Sequence, residues 1–248
     1  MKNELKTEKR YPYSKPIDKL ELNEAIELMI KEQKHSISTL IKNKKILDDI
    51  IINVSSKLSS SSQGRLIYTG AGTSGRIGVQ DGIELYPTFG WPKKRLNFLI
   101  SGGKKALYST VENAEDNISI AKRMANKINF TNKDVLIAIS ASGNTPFTLE
   151  VIKIARTKKV LTISLCNNSN CIMKQYSDFS VILDTGEELV AGSTRLKAGT
   201  SQKVCLNLIS TLLMVKMGRI KNGYMSHMVA TNNKLRLRKK KINQILYK

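Results

Sequence analysis

Cysteine and histidine are scarce in this chain. Its 248 residues hold three cysteines, Cys166, Cys171 and Cys205. They are too few and too scattered for a disulfide framework, and such usage suits a reducing compartment. The two histidines, His35 and His227, do not complete a zinc site with Cys166 and Cys171, so no metal is expected. No apolar run approaches the roughly 20 residues needed to span a bilayer. The opening MKNELKTEKRYPYSKP has no hydrophobic signal core. These absences exclude a membrane partner and a disulfide-stapled secreted scaffold, and they predict a soluble cytoplasmic protein.

Acidic residues are short as well: 20 against 41 basic ones, a net charge of +21. Such a balance raises nucleic acid as a partner, and KLRLRKKK (234–241) concentrates six of the charges. Lys is abundant throughout, together with Ile and Asn, so the surplus reads as a compositional trend. A basic surface that attracts a small anionic substrate is the preferred use of it, and nucleic acid is not expected as the principal partner. Hydrophobic residues, at 41%, support a packed core rather than disorder.

Residues 1–19 read as an extended arm, because Pro12 and Pro16 oppose helix. Asn23 is placed to cap a helix running to about Gln33, with Ile26, Met29 and Ile30 on one face. Ile37, Leu40, Ile41, Leu47, Ile50, Ile51, Val54 and Leu58 then recur at helical spacing. From residue 65 the pattern alternates. The runs RLIYTG (65–70), RLNFLIS (95–101), DVLIAIS (134–140), VLTISLC (160–166) and FSVILD (179–184) read as buried strands. Helical stretches are predicted between them, around 75–86, 104–128, 146–158 and 169–176. A helix over 196–218 and another from near Tyr224 into the basic tail close the chain. The fold class is α/β: a three-layer α-β-α domain on a five-stranded parallel sheet, behind an N-terminal helical extension. Expected boundaries are 1–60 for the arm and helices, 61–220 for the α/β unit, and 221–248 for the last helix and basic tail.

In such sheets ligands sit beyond the carboxyl ends of strands, where loops enter helix N-termini. Two loops have matching chemistry. GAGTSG (70–75) follows the first strand, with Gly72, Thr73 and Ser74 at its centre. SASGNTP (140–146) follows the third, with Ser140, Ser142, Thr145 and the amides near Gly143. The glycines fit G-x-G-x-x-G, yet a dinucleotide site also wants an acid at the end of the second strand, and that strand ends in Ser101-Gly102-Gly103. No Walker lysine follows either. A phosphate monoester on a small molecule is the better match. Either loop alone could merely cap a helix.

Three carboxylates stand out. Glu84, in DGIELYPTFG (81–90), comes late in the first helix of the sheet unit, among Ile83, Leu85 and Tyr86. Burial there would raise its pKa and suit a general acid. Glu112 and Glu115, in VENAEDN (111–117), are three residues apart and would share a helical face. Periodicity alone carries them no further than a candidate acid/base set.

GRLIYTGAGTSGRIG (64–78), ELYPTFG (84–90), VENAEDN (111–117), IAISASGNTP (137–146), GSTRLKAGTSQK (192–203) and ATNNKL (230–235) resemble the N-acetylmuramic acid 6-phosphate etherases, over roughly residues 6–238. The wider fold is the sugar isomerase (SIS) domain. The resemblance implies cleavage of a lactyl ether without metal or other cofactor, giving N-acetylglucosamine 6-phosphate and D-lactate by elimination and then hydration, in cell-wall amino sugar recycling. It assigns leaving-group protonation to Glu84 and the C2 proton to Glu115, with Glu112 in support. It assigns the 6-phosphate to Ser74, Ser140, Ser142 and Thr145, supported by Gly72, Thr73 and Gly143, and it implies a homodimer. Asn144 departs from the family, which has arginine there, and Gly82, Ile83 and Tyr86 depart from its usual D-A-S-E-C-P-P. Family members usually continue into a small C-terminal helical domain where this sequence ends in KKKINQILYK. The alternative implied is a phosphosugar-binding regulator without catalysis. Residues 20–58 lack the tri-helical pattern of a DNA-binding module, and a binder has no need of a carboxylate pair.

Overall fold

Five apolar runs become the strands β1 (Leu66–Gly70), β2 (Leu96–Ile100), β3 (Val135–Ser140), β4 (Leu161–Cys166) and β5 (Phe179–Ile182) in a computed structural model of the chain. The structure describes residues 5–13 and 15–247. The first four residues of the predicted arm, Ser14 within it, and Lys248 of the basic tail lie outside the described residues. All strand pairs are parallel, in the order β2-β1-β3-β4-β5.

The runs are apolar on both faces because both faces are covered. Leu66 and Tyr68 of β1 join Val135, Ile137 and Ile139 of β3 on one side, and Ile67, Leu136 and Ala138 face the other. The first side packs against α2 (Lys44–Ser59) and α7 (Lys197–Lys216), with α3 (Gly72–Ile83) and α4 (Leu85–Phe89) beside them. The second side packs against α5 (Ile118–Ile128) and α6 (Pro146–Thr157). The three-layer α/β class is therefore what the chain adopts.

The outer helices show where periodicity misleads. α1 (Leu22–Ser38) starts without a side-chain cap, and Asn23 donates to Glu27 instead. Its Leu22, Ile26, Met29, Ile30 and Ile37 are exposed. A buried Lys197–Glu32 ion pair of 2.6 Å ties α1 to the start of α7. The stretch predicted as a helix over 104–128 is a short 3-10 helix at Gly103–Leu107, then turns, and helix only from Ile118. Asn113 takes a left-handed φ of 53°, and the Asn117 side chain accepts from the Ile120 amide. These local bonds offer the backbone an alternative to helix. Residues 169–176 hold only a 3-10 helix at Ile172–Tyr176. The last helix, α8 (Asn233–Leu246), starts nine residues beyond Tyr224, where the Asn232 side chain caps it.

Two buried ionic anchors fix the strand beginnings. Asp134 receives Arg65 at 2.6 and 3.0 Å and the Thr131 amide at 2.8 Å. Arg95 donates to the carbonyls of Gly64, Leu58 and Ser61 and stacks on buried Trp91, whose indole also faces Arg219. Burial, and then the charge of Arg219, pulls the Arg95 pKa down.

Candidate active site

The strand order places a topological switch at β1. The chain leaves β1 for β2 on one side and returns to β3 on the other, so the loops after β1 and β3 diverge and open a crevice. Gly70 pairs with Ile139 in register, which brings the two loops out side by side. They belong to the first and third strands, neighbours in the sheet though not in sequence.

The loop after β3 is a ring of hydroxyls. Ser140 Oγ lies 3.2 Å from Ser142 Oγ and 2.9 Å from Thr145 Oγ1. The Gly143 amide donates to Ser140 Oγ at 3.0 Å and the Asn144 amide to Ser142 Oγ at 3.1 Å. Pro146 opens α6 directly behind, and no side chain caps that helix. Asn144 contributes structure: its Oδ1 accepts from the Ile172 amide at 2.8 Å. Gly143, at φ +69°, has no room for a side chain, since a Cβ would fall 2.1 Å from Cys171 Cβ.

On the β1 side α3 begins at Gly72, also without a side-chain cap, with Thr73 and buried Ser74 in its first turn. Arg76 turns away and donates to the Ala106 carbonyl. Gly72 takes φ +53°, and a Cβ there would lie 3.1 Å from Glu115 Oε1. The Glu115 carboxylate therefore rests on the first turn of α3. Its carbonyl accepts from the Phe147 amide at 2.9 Å, which fixes it to the start of α6 as well. Glu115 thus sits between the two loops.

The other carboxylates are elsewhere. Glu112 is exposed in the turns before α5, so the shared helical face expected for Glu112 and Glu115 does not form. Glu84 is exposed between α3 and α4, so the burial expected for it is absent. It borders a cleft of about 110 Å³ with Ile77, Gln80, Asp81, Lys203 and Asn207. Gly72 and Glu84 are at opposite ends of α3, roughly 18 Å apart at 1.5 Å per residue. Within one chain Glu84 and Glu115 do not meet.

Sequence reasoning missed the polar frame behind the loops. Asn167 and Asn168, at the end of β4, both hold the Ala141 carbonyl region: the Asn167 amide and the Asn168 side chain donate to it at 2.9 and 3.0 Å. Asn167 also bonds Ser201 and Gln202 of α7. Glu188, fully buried, accepts from the Lys197 and Ala198 amides and so caps α7. Burial pushes its pKa up, against those amides. Asp81 gathers Tyr68, Asn207 and Ser210. The only sequence signal was an Asn-Asn pair ending a strand and a Glu shortly before a helix. Among the described residues, no helix is long and apolar enough to cross a membrane, and no group of three or more His, Cys, Asp or Glu could hold a metal ion.

A five-stranded parallel sheet with a hydroxyl-lined loop at its switch point defines a SIS-domain protein. Residues 23–156 match the glucokinase regulatory protein N-terminal SIS domain, and residues 109–215 match the SIS domain. A phosphoheptose isomerase from Francisella tularensis shares the fold, with a TM-score of 0.57 at 18% identity, over 81% of this chain and all of that one. More specifically, an N-acetylmuramic acid 6-phosphate etherase of Geobacillus thermodenitrificans is 38% identical over 98% of this chain and 81% of its own length. One of Deinococcus radiodurans is 46% identical over 73% of this chain and 59% of its own. The chain belongs to the N-acetylmuramic acid 6-phosphate etherase family.

Proposed function

We propose that the chain cleaves the D-lactyl ether of N-acetylmuramic acid 6-phosphate, a carbon–oxygen lyase reaction yielding N-acetylglucosamine 6-phosphate and D-lactate. The observation that carries the site assignment is Glu115, held between a hydroxyl ring and the uncapped start of α3. Ser140, Ser142 and Thr145, with Ser74 opposite, receive the 6-phosphate; Gly72, Thr73 and Gly143 let it approach the backbone. Glu115 takes the C2 proton of the open-chain aldehyde, whose carbonyl acidifies it. Glu84 protonates the departing lactate oxygen at C3, and water then adds back. Residues 61–220 form the phosphosugar-binding unit, 1–60 the arm and helices packed on it, and 221–248 the C-terminal helix and tail. The setting is cytoplasmic.

The separation of Glu84 from Glu115 adds a condition. One chain cannot bring both to one ether bond, so the working site takes Glu115 from one copy and Glu84 from another, in a homodimer. Complementation tests this. Glu84→Ala and Glu115→Ala each abolish D-lactate release alone. Unfolded and refolded together, they recover about a quarter of wild-type activity, the statistical share of intact sites in mixed dimers. No recovery would place both carboxylates on one chain. The match to a regulatory protein's SIS domain favours a second reading, phosphosugar binding without chemistry. Wild-type protein that binds the sugar phosphate and releases no lactate would establish it.

A further inference from the structure

Cys166 and Cys171 lie together beneath the hydroxyl ring, and the reaction above uses neither. Cys166 ends β4 and is fully buried, whereas Cys171 is 5% exposed. Cys171, though buried, borders a surface pocket of about 470 Å³ with Ser169, Asn170, Ile172, Lys174 and Gln175. Both are free thiols and belong to one buried cluster under the loop. They flank one point of the ring: a Cβ on Gly143 would meet Cys171 Cβ at 2.1 Å and Cys166 Sγ at 3.0 Å. The two residues after Cys171 hold the same loop, because the Ile172 amide donates to Asn144 Oδ1 and the Met173 amide to the Gly143 carbonyl.

We propose that Cys166 and Cys171 form a peroxide-sensitive dithiol site, whose closure to a disulfide releases the Ser140–Thr145 loop from its backing. Cys171 is the attacking thiol. The Cys166 thiol beside it pulls its pKa down, with help from the Lys174 amide, while Cys171 and burial push Cys166 up. A lowered pKa beside a surface pocket marks the more reactive member of such a pair. Cys171 sulfur attacks one oxygen of hydrogen peroxide; the S–O bond forms, the O–O bond breaks, and hydroxide leaves with the Cys171 proton as water. Cys166 sulfur then attacks the sulfenic sulfur, forming S–S and expelling hydroxide, which leaves with the Cys166 proton as a second water. Two thiols lose two electrons and two protons, and the peroxide becomes two waters.

Closure shortens the contact to the ~2 Å of an S–S bond. Cys171 must move toward Cys166, and it carries Ile172 and Met173 with it. The effect on ligand binding rests on the phosphate role proposed for this loop, but the chemistry and the loosening do not.

The test is therefore read without substrate. The full chain is treated with hydrogen peroxide, digested without reductant and mapped by mass, and amide exchange is followed over 140–147 and 171–173. A Cys166–Cys171 cross-link two mass units lighter than the dithiol is expected, reversed by dithiothreitol. Exchange at Asn144, Ile172 and Met173 should rise about tenfold, the effect of losing one or two ordinary hydrogen bonds. Cys166→Ser should stop at a trappable sulfenic acid on Cys171, and Cys171→Ser should show neither product. Absence of the cross-link, or a cross-link that leaves exchange unchanged, overturns the proposal. Failure of the lactate assay would leave all these readouts intact.

Discussion

Two glycines in left-handed conformations separate stability from chemistry at the scale of single residues. Gly143 and Gly72 both carry positive φ, so an alanine at either stores about 1–2 kcal/mol of backbone strain. They differ in what the new methyl meets. At Gly143 it strikes Cys171 Cβ, part of a packed core beneath the loop, and overpacking adds about 1–3 kcal/mol. Gly143→Ala, at about 2–5 kcal/mol in all, should lower the melting temperature by roughly 4–20 °C, at about 2–4 °C per kcal/mol for a chain of this size. At Gly72 the methyl meets the far end of a flexible carboxylate, Glu115 Oε1 at 3.1 Å, which can swing aside. Gly72→Ala should lose only that strain in stability yet cost up to about tenfold in kcat for lactate release, since the proposed reacting group must give by a few tenths of an ångström and a full ångström costs about 100-fold. Calorimetry beside a lactate assay separates the two. A Gly72→Ala enzyme with unchanged kcat would remove Glu115 from the reaction.

Strand ends carry the ionic anchors, and their pH response belongs to the scale of elements. Burial alone would raise the Asp134 carboxyl, but the hydrogen bond from Arg65 and the Thr131 amide outweigh it and hold the pKa below the ordinary range. A carboxyl depressed on folding contributes stability that is complete above its unfolded pKa, near 3.9. That contribution is lost as pH falls through the folded value. Asp134→Asn should therefore unfold more easily in urea at pH 7, by about 3 kcal/mol for a broken buried pair. The gap to wild type should close as pH drops below about 4. A gap independent of pH would mean that the anchor acts by shape rather than charge. The elements themselves were largely legible. All five strands fell within one residue of their predicted starts, because each is a short apolar run set off by the polar residues around it. The helix over 104–128 was misread because Asn113 and Asn117 spend their side chains and φ on turns, which apolar spacing does not record. The site was half legible. Ser140, Ser142 and Thr145 announced themselves as a hydroxyl cluster after a strand. Glu115's place over Gly72, Glu84's exposure and the Cys166–Cys171 contact depend on long-range packing that no local pattern carries.

Charge acts on the molecule as a whole. With 41 basic and 20 acidic residues, the chain surrounds a site proposed for a phosphate dianion with a broadly positive field. Such a field gathers anions before any contact is made, and salt screens it with a Debye length near 30 Å at 0.01 M and 10 Å at 0.1 M. If the surplus serves the substrate, kcat/KM for the sugar phosphate should fall about 3–10-fold between 0.01 and 0.3 M salt at fixed pH. kcat should change little, because the site proposed for the phosphate offers hydroxyls and amides rather than an exposed ion pair. The tail offers a control, since six of the charges lie on α8 between Lys234 and Lys241, a largely exposed helix. Replacing Lys239, Lys240 and Lys241 with Gln should leave most of the salt dependence in place if the field is collective. Loss of the whole dependence in that variant would make the tail the anion collector. A kcat/KM flat with salt in the wild type would leave the positive charge without a part in substrate capture.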